Sequence, residues 1–179
     1  MTTIFERCVS WVLEWETGKL TNHSWDQGGP TRWGISQVAN PDVDVVNLTR
    51  QRAAEIYSER YWLPLRCQRM PAPVAMIVFD HSVHVSQGAS AKNLQKLLRV
   101  SADGVVGDRT MNALGLTLRE KSSYALANEL LDRRADLQID AFRRRAEKAP
   151  TVAKSAEQWI TVKGFVSRWV AVCAFAQRL

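Results

Sequence analysis

The chain opens with an apolar stripe at helical spacing. Phe5, Val9 and Val12 recur every three to four residues, with Cys8 and Leu13 beside them, and predict a helix over Ile4–Glu16. Glu16 continues this stripe, whereas Glu14 falls on the opposite face. A carboxyl turned toward the inward side of a helix loses water, which disfavours its ionised form. A general acid working near neutral pH needs that environment. Thr17-Gly18 ends the helix, and a polar stretch leads into Asp26-Gln27-Gly28-Gly29-Pro30-Thr31-Arg32-Trp33-Gly34-Ile35. Two glycines, a proline and a third glycine predict a tight turn or hairpin, not a spacer.

Helical periodicity dominates the remainder, and irregular structure is expected only between residues 17 and 47. Residues 48–62 read as a helix with Ala53, Ile56 and Tyr57 facing inward, Tyr61 at its end and Pro64 closing it. Pro71-Ala72-Pro73 starts a nearly all-apolar helix over 74–85, the expected central helix. Gly88 breaks that run before an amphipathic helix over 89–100 carrying Leu94, Leu97 and Leu98. Asp103-Gly104 is a turn and Gly107 a second break. Asp108 is the expected N-cap of a short helix over 109–114, stopped by Gly115. A long helix over 118–148, a break at Pro150 and a last helical region from 156, weak at Gly164, complete the chain. The expected fold class is all-α with one small hairpin segment. The expected boundary lies near Gly88, dividing 1–87 from 88–179 within one globule.

Composition narrows the partners. A length of 179 residues with 46% hydrophobic content fits one domain or two small ones with a real core. A net charge of +6 and a pI near 9.5 favour a polyanion, whether nucleic acid, an anionic membrane or an acidic wall polymer. Cys8, Cys67 and Cys173 are widely spaced and odd in number, so a disulfide framework and a structural zinc site are not expected. Three small buried thiols are. Met1-Thr2-Thr3-Ile4-Phe5-Glu6-Arg7 lacks the basic and apolar regions of a secretory signal, and no apolar run is long enough to cross a bilayer. The expectation is cytoplasmic synthesis, with a separate route out for any work elsewhere.

The assembled motifs resemble glycoside hydrolase family 108, the muramidase-type phage endolysins and their bacterial relatives. That family's helix ends in Glu-Gly-Gly and is followed by Asp-Pro-Gly-Gly-x-Thr-x-Tyr-Gly-Ile; here Glu16-Thr17-Gly18 and Asp26 to Ile35 match it. The resemblance continues through Tyr61-Trp62, Phe79-Asp80, Asn93-Leu94-Gln95, Asp103-Gly104-Val105-Val106-Gly107, Thr110, and Lys163-Gly164-Phe165 with Arg168. Two positions depart from it: Thr17 replaces the first glycine, and His84 stands where the family usually has asparagine.

The resemblance implies a lysozyme-like catalytic module over 1–87 and a helical peptidoglycan-binding module over 88–179. It implies cleavage of the β-1,4 bond between N-acetylmuramic acid and N-acetylglucosamine in peptidoglycan, as an endolysin in host-cell lysis, and reaching the wall through a holin or another export route. A bacterial muramidase assisting toxin secretion is also compatible, and a non-catalytic cell-wall-binding protein that keeps the fold is a further alternative, against which intact Glu16, Asp26 and Thr31 argue. Such cleavage needs a proton donor beside the leaving oxygen and a second group that delivers water or stabilises the oxocarbenium-like transition state. Glu16 is the acid, and Asp26 and Thr31 would position the water by analogy with phage-type lysozymes. Trp33 and Tyr61 are candidate sugar contacts. No cofactor or metal is expected, and the protein is expected to be a monomer.

Blander readings stand beside these. Asp26 also suits a turn cap, Thr31 a hairpin brace, and Glu55 with Glu59 a solvated helical face. Asp80, His81 and His84 suit a satisfied polar network better than a metal site. Arg133-Arg134 and Arg143-Arg144-Arg145 could line a nucleic-acid face, yet no nucleic-acid-binding signature accompanies them. Trp159, Phe165, Trp169, Val172 and Phe175 with Lys163, Arg168 and Arg178 could lie on a membrane surface, but an amphipathic helix closing the core is the better reading.

Overall fold

The computed structural model describes residues 2–22, 28–147 and 166–179. Asp26, the Pro150 break, Trp159 and Lys163-Gly164-Phe165 lie outside the described residues. The chain divides into two compact units, Met1–Gln68 and Arg69–Leu179.

In the first unit, α1 (Ile4–Glu16) starts with a capping box. The Glu6 amide donates to Thr3 Oγ1 at 3.1 Å, and the Thr3 amide donates to the Glu6 carboxylate at 2.6 Å. The predicted stripe is the buried face, with Cys8, Val9, Trp11, Val12 and Leu13 all inside. α1 packs against α2 (Arg50–Tyr57), whose first turn is capped by Thr49 and whose Ala53, Ile56 and Tyr57 are buried as expected. Between them lies the hairpin β1 (Thr31–Arg32) and β2 (Ile35–Ser36). The helix predicted over 48–62 stops being α-helical at Tyr57. Ser58–Trp62 is a π-helical turn, with the Leu63 amide donating to the Ser58 carbonyl. Such turns concentrate at functional sites. Trp62 is buried against Phe5, with ring centroids 5.4 Å apart. Cys8 and Cys67 are buried, and burial, aided by Cys8, pushes the Cys67 thiol up. Cys173 is only half-buried.

In the second unit the expected central helix is α3 (Ala72–His84), whose residues 73–82 are all buried. It packs against α4 (Gln87–Leu97) and α6 (Ser123–Glu147). These three helices all belong to the second compact unit, Arg69–Leu179. Gly88 does not break a helix. Ser86 caps α4 by accepting from the Ala89 amide at 3.2 Å, which places Gly88 in the first helical turn. Gly115 likewise fails to stop a helix: α5 (Asp108–Glu120) runs through it, with Gly107 and not Asp108 as N-cap. A Cβ on Gly115 would meet nothing within 4 Å, so the residue costs about 1 kcal/mol of helix propensity without a packing conflict. Burial of Thr110 and Leu114 beside it keeps the helix intact. The Asp103-Gly104 turn does form, with Gly104 at φ +87, and the buried amide of Gln95 braces it through Asp103, Val105, Thr110 and Gly104.

The last described helix, α7 (166–176), is joined to α3 and α6 by ions. Arg134 of α6 donates to one Asp80 oxygen at 2.5 Å, and Arg168 donates to the other at 2.9 and 2.6 Å. Asp80 and Arg134 are fully buried and Arg168 nearly so. Arg134 and Arg168 are therefore not part of a nucleic-acid face or a membrane-facing basic stripe. Burial alone would raise the Asp80 carboxyl; the charges of Arg134 and Arg168 overcome this and hold it down at about 2. Burial, assisted by Arg134 against the opposing pull of Asp80, lowers His81 to about 3. Burial lowers His84 to about 3 as well.

Candidate active site

The end of α1 and the tip of the hairpin form one piece of structure. Glu16 is the last residue of α1 and is half-buried, with Glu14 exposed on the other face. The chain then turns sharply at Thr17, with φ 53 and ψ 151. That backbone region is populated almost only by glycine, and a side chain there costs about 1–3 kcal/mol. Glycine at this position removes the strain. Thr17→Gly is expected to stabilise the protein by about 1 kcal/mol, raising the melting temperature by about 2–4 °C in a thermal melt followed by circular dichroism.

The hairpin loop is Trp33-Gly34, with Arg32 opposite Ile35. Both residues have positive φ, +54 and +72, as a two-residue type I′ turn requires. Tryptophan is a poor choice for that conformation, so its neighbours must hold it there. The Trp33 amide donates to the Thr17 carbonyl at 3.1 Å, and the Trp33 carbonyl accepts from the Tyr57 hydroxyl at 2.9 Å. Its indole lies where a Cβ on Gly18 would be. Arg32 adds a second clamp, donating to the Gly18 carbonyl at 2.9 Å and the Val46 carbonyl at 2.8 Å. Thr21 and Thr31 exchange backbone hydrogen bonds of 2.9 and 2.8 Å behind the turn.

Gly34 is where this packing meets Glu16. A Cβ at position 34 would lie 2.7 Å from Glu16 Oε2 and 2.6 Å from Tyr57 Oη, in addition to the positive φ. The absent side chain is the space into which the carboxyl fits. Gly34→Ala is expected to cost about 1–3 kcal/mol in chemical denaturation and to lower activity by displacing the carboxyl. Tyr61, delivered by the π-turn, stands close enough to feel the Glu16 charge. Burial raises its phenol and Glu16 adds to this against the opposing Arg60 charge, so the hydroxyl stays neutral. The Tyr57 and Tyr61 rings meet at a tilt of 51°, with centroids 5.3 Å apart.

Of the residues proposed from the sequence, Glu16, Thr31, Trp33 and Tyr61 all lie on this construction; Asp26 is outside the described residues. The Thr31 hydroxyl donates to the Gly29 carbonyl at 3.1 Å, so it braces the turn and keeps its lone pairs as acceptors. The Trp33 ring nitrogen is buried with no hydrogen-bond partner. Tyr57 reads from the sequence as an aromatic that could stack on a sugar ring but better suits the core. Nothing in helical spacing distinguishes an inward phenol that packs from one whose hydroxyl reaches a distant carbonyl. Among the described residues no cluster of His, Cys, Asp or Glu is placed to hold a metal ion, and no helix is long and apolar enough to cross a membrane.

Residues 9–86 match the family model Glycosyl hydrolase 108. This stretch is a glycosyl hydrolase 108 module. The matched stretch holds Glu16, the hairpin, the π-turn and α3, and the match supports a glycoside hydrolase. The chain is also similar along nearly its whole length to the solved structure of Brucella abortus SagA: 27% identity, 97% of this chain and 94% of that chain covered, and a TM-score of 0.75. No curated protein matches the sequence. The fold beyond the glycosyl hydrolase 108 module thus has a counterpart in SagA, and the architecture is the all-α, lysozyme-like one expected from the sequence.

Proposed function

We propose that the protein cleaves the β-1,4 bond between N-acetylmuramic acid and N-acetylglucosamine in peptidoglycan, with Glu16 as the general acid. The observation that carries this reading is the seating of the Glu16 carboxyl. It is half-buried at a helix end, fitted into the space left by Gly34, beside two tyrosines and inside the glycosyl hydrolase 108 module. A donor fixed by a helix terminus and a pinned turn keeps its direction when a glycan arrives, which is what proton transfer to a leaving oxygen requires. Tyr61 offers a neutral phenol and an aromatic face to a sugar beside that donor. Asp26 is the second carboxylate of this scheme and Thr31 the acceptor that helps hold the attacking water. Trp33 supports the site chiefly by locking the turn.

The second half, 88–179, is proposed to hold the glycan strand, and the net charge of +6 suits an anionic wall. The biological setting proposed is lysis from within, after cytoplasmic synthesis and release through a separately encoded pore. Secretion through the wall in a bacterium would use the same chemistry. Mass spectrometry of purified peptidoglycan digested by the protein tests the reaction. Reducing N-acetylmuramic acid ends are expected; anhydro ends would make it a lytic transglycosylase, and undigested wall would make it a binding protein.

A further inference from the structure

We infer that Arg134 holds a small inorganic anion, of which chloride is the fitting example, inside the second unit, on the guanidinium edge formed by Nε and Nη2.

The Arg134 side chain is fully buried. Its Nη1 donates to one Asp80 oxygen, while Nε and Nη2 are buried with no hydrogen-bond partner among the described residues. These two nitrogens lie on one edge of a planar, permanently charged group, so a single acceptor in front of that edge meets both N–H bonds. A charged donor left dry in the interior is costly, and here two lie side by side. The carboxylate that Arg134 does meet is shared, because Arg168 of α7 takes its other oxygen at 2.9 and 2.6 Å. Asp80 therefore balances Arg134 only in part, and a negative ion on the second edge completes the balance. Since no part of Arg134 reaches solvent, the ligand is enclosed by protein, which selects a monatomic ion over an organic acid or a phosphate ester.

Water is the competing occupant. It would accept from both N–H bonds, and Asn93 Oδ1 and Gln138 Oε1, also buried and unpartnered, could take its protons. Water brings no charge, however, and would leave the guanidinium balanced through Nη1 alone. The titratable neighbours on the packed helices do not supply the charge either. Burial keeps His81 and His84 of α3 neutral, and Arg168 is itself a cation.

Thermal melts of the full chain, with sodium chloride replacing sodium gluconate at fixed ionic strength, test the site. Gluconate is too large to be enclosed, and constant ionic strength removes the contribution of screening. Once chloride exceeds its dissociation constant, each further tenfold rise is expected to raise the folded-to-unfolded ratio about tenfold, or Tm by about 3–5 °C. Arg134→Lys keeps a cation toward Asp80 and deletes the two-nitrogen edge, so its melt is expected to be the same in both salts. Wild-type crystals soaked in sodium bromide are expected to show bromide, by its anomalous scattering, within hydrogen-bond reach of Nε and Nη2. Wild-type melts that do not respond to chloride, or a bromide-soaked crystal with only water on that edge, overturn the inference. A chloride response that persists in Arg134→Lys places the ion elsewhere and overturns it too. Should Arg134→Lys fail to fold, the wild-type melts and the bromide crystal decide the matter.

Discussion

Asp80→Asn is expected to lower the stability of the second unit by about 3–5 kcal/mol, the cost of leaving buried charge without its partner. The substitution keeps the shape of the side chain and removes only its charge, so the loss reports electrostatics and not a cavity. Two arginines from separate helices, Arg134 and Arg168, then stand buried with no carboxylate between them. The same cluster makes the wild type acid-sensitive. His81 and His84 titrate near 6.5 when unfolded and at about 3 when folded. Between those values the unfolded chain binds more protons, and stability is lost as pH is lowered, by about 1.4 kcal/mol per pH unit for each histidine. Asp80, held at about 2, adds its own loss between about pH 4 and pH 2. Stability contributed by these groups is complete above about pH 7 and declines on acidification. Chemical denaturation at a series of pH values checks both statements; a stability independent of pH between neutral and mildly acidic conditions would contradict the neutral histidines.

Glu16→Gln is expected to lower the rate of glycan cleavage by about 10³-fold while leaving the fold intact. The amide is isosteric with the carboxylic acid and fits the same space beside Gly34, yet has no proton acidic enough to give. Binding to peptidoglycan is expected to survive. Loss of binding together with activity would place Glu16 in wall recognition and not in proton transfer.

Much of this was legible in the sequence because it is local. The stripe of Phe5, Val9 and Val12 sets the buried face of α1, and Thr31 to Ile35 carries the glycine needed at the second position of a tight hairpin. Glu16 stood out because it continues an apolar stripe. What stayed hidden depends on partners distant in the chain. Arg134 reads as part of a basic run, yet it is 54 residues from the aspartate that buries it. Thr17 reads as an ordinary small turn residue; its strained backbone follows from the Trp33 amide bonding its carbonyl. Gly88 and Gly115 read as helix stops, but a capping serine before one and buried neighbours around the other outweigh a glycine's modest cost. Tyr57 reads as core. Its hydroxyl matters only because the hairpin tip brings a carbonyl to it.

In the proposed reaction one carboxyl of the two near the end of α1, that of Glu16 and not of Glu14, donates the proton. Reducing-end analysis of the same peptidoglycan treated with wild type, Glu16→Gln and Glu14→Gln tests it most directly. New N-acetylmuramic acid ends are expected from wild type and Glu14→Gln at comparable rates, and almost none from Glu16→Gln. Full release by Glu16→Gln, or equal loss in both variants, would contradict it.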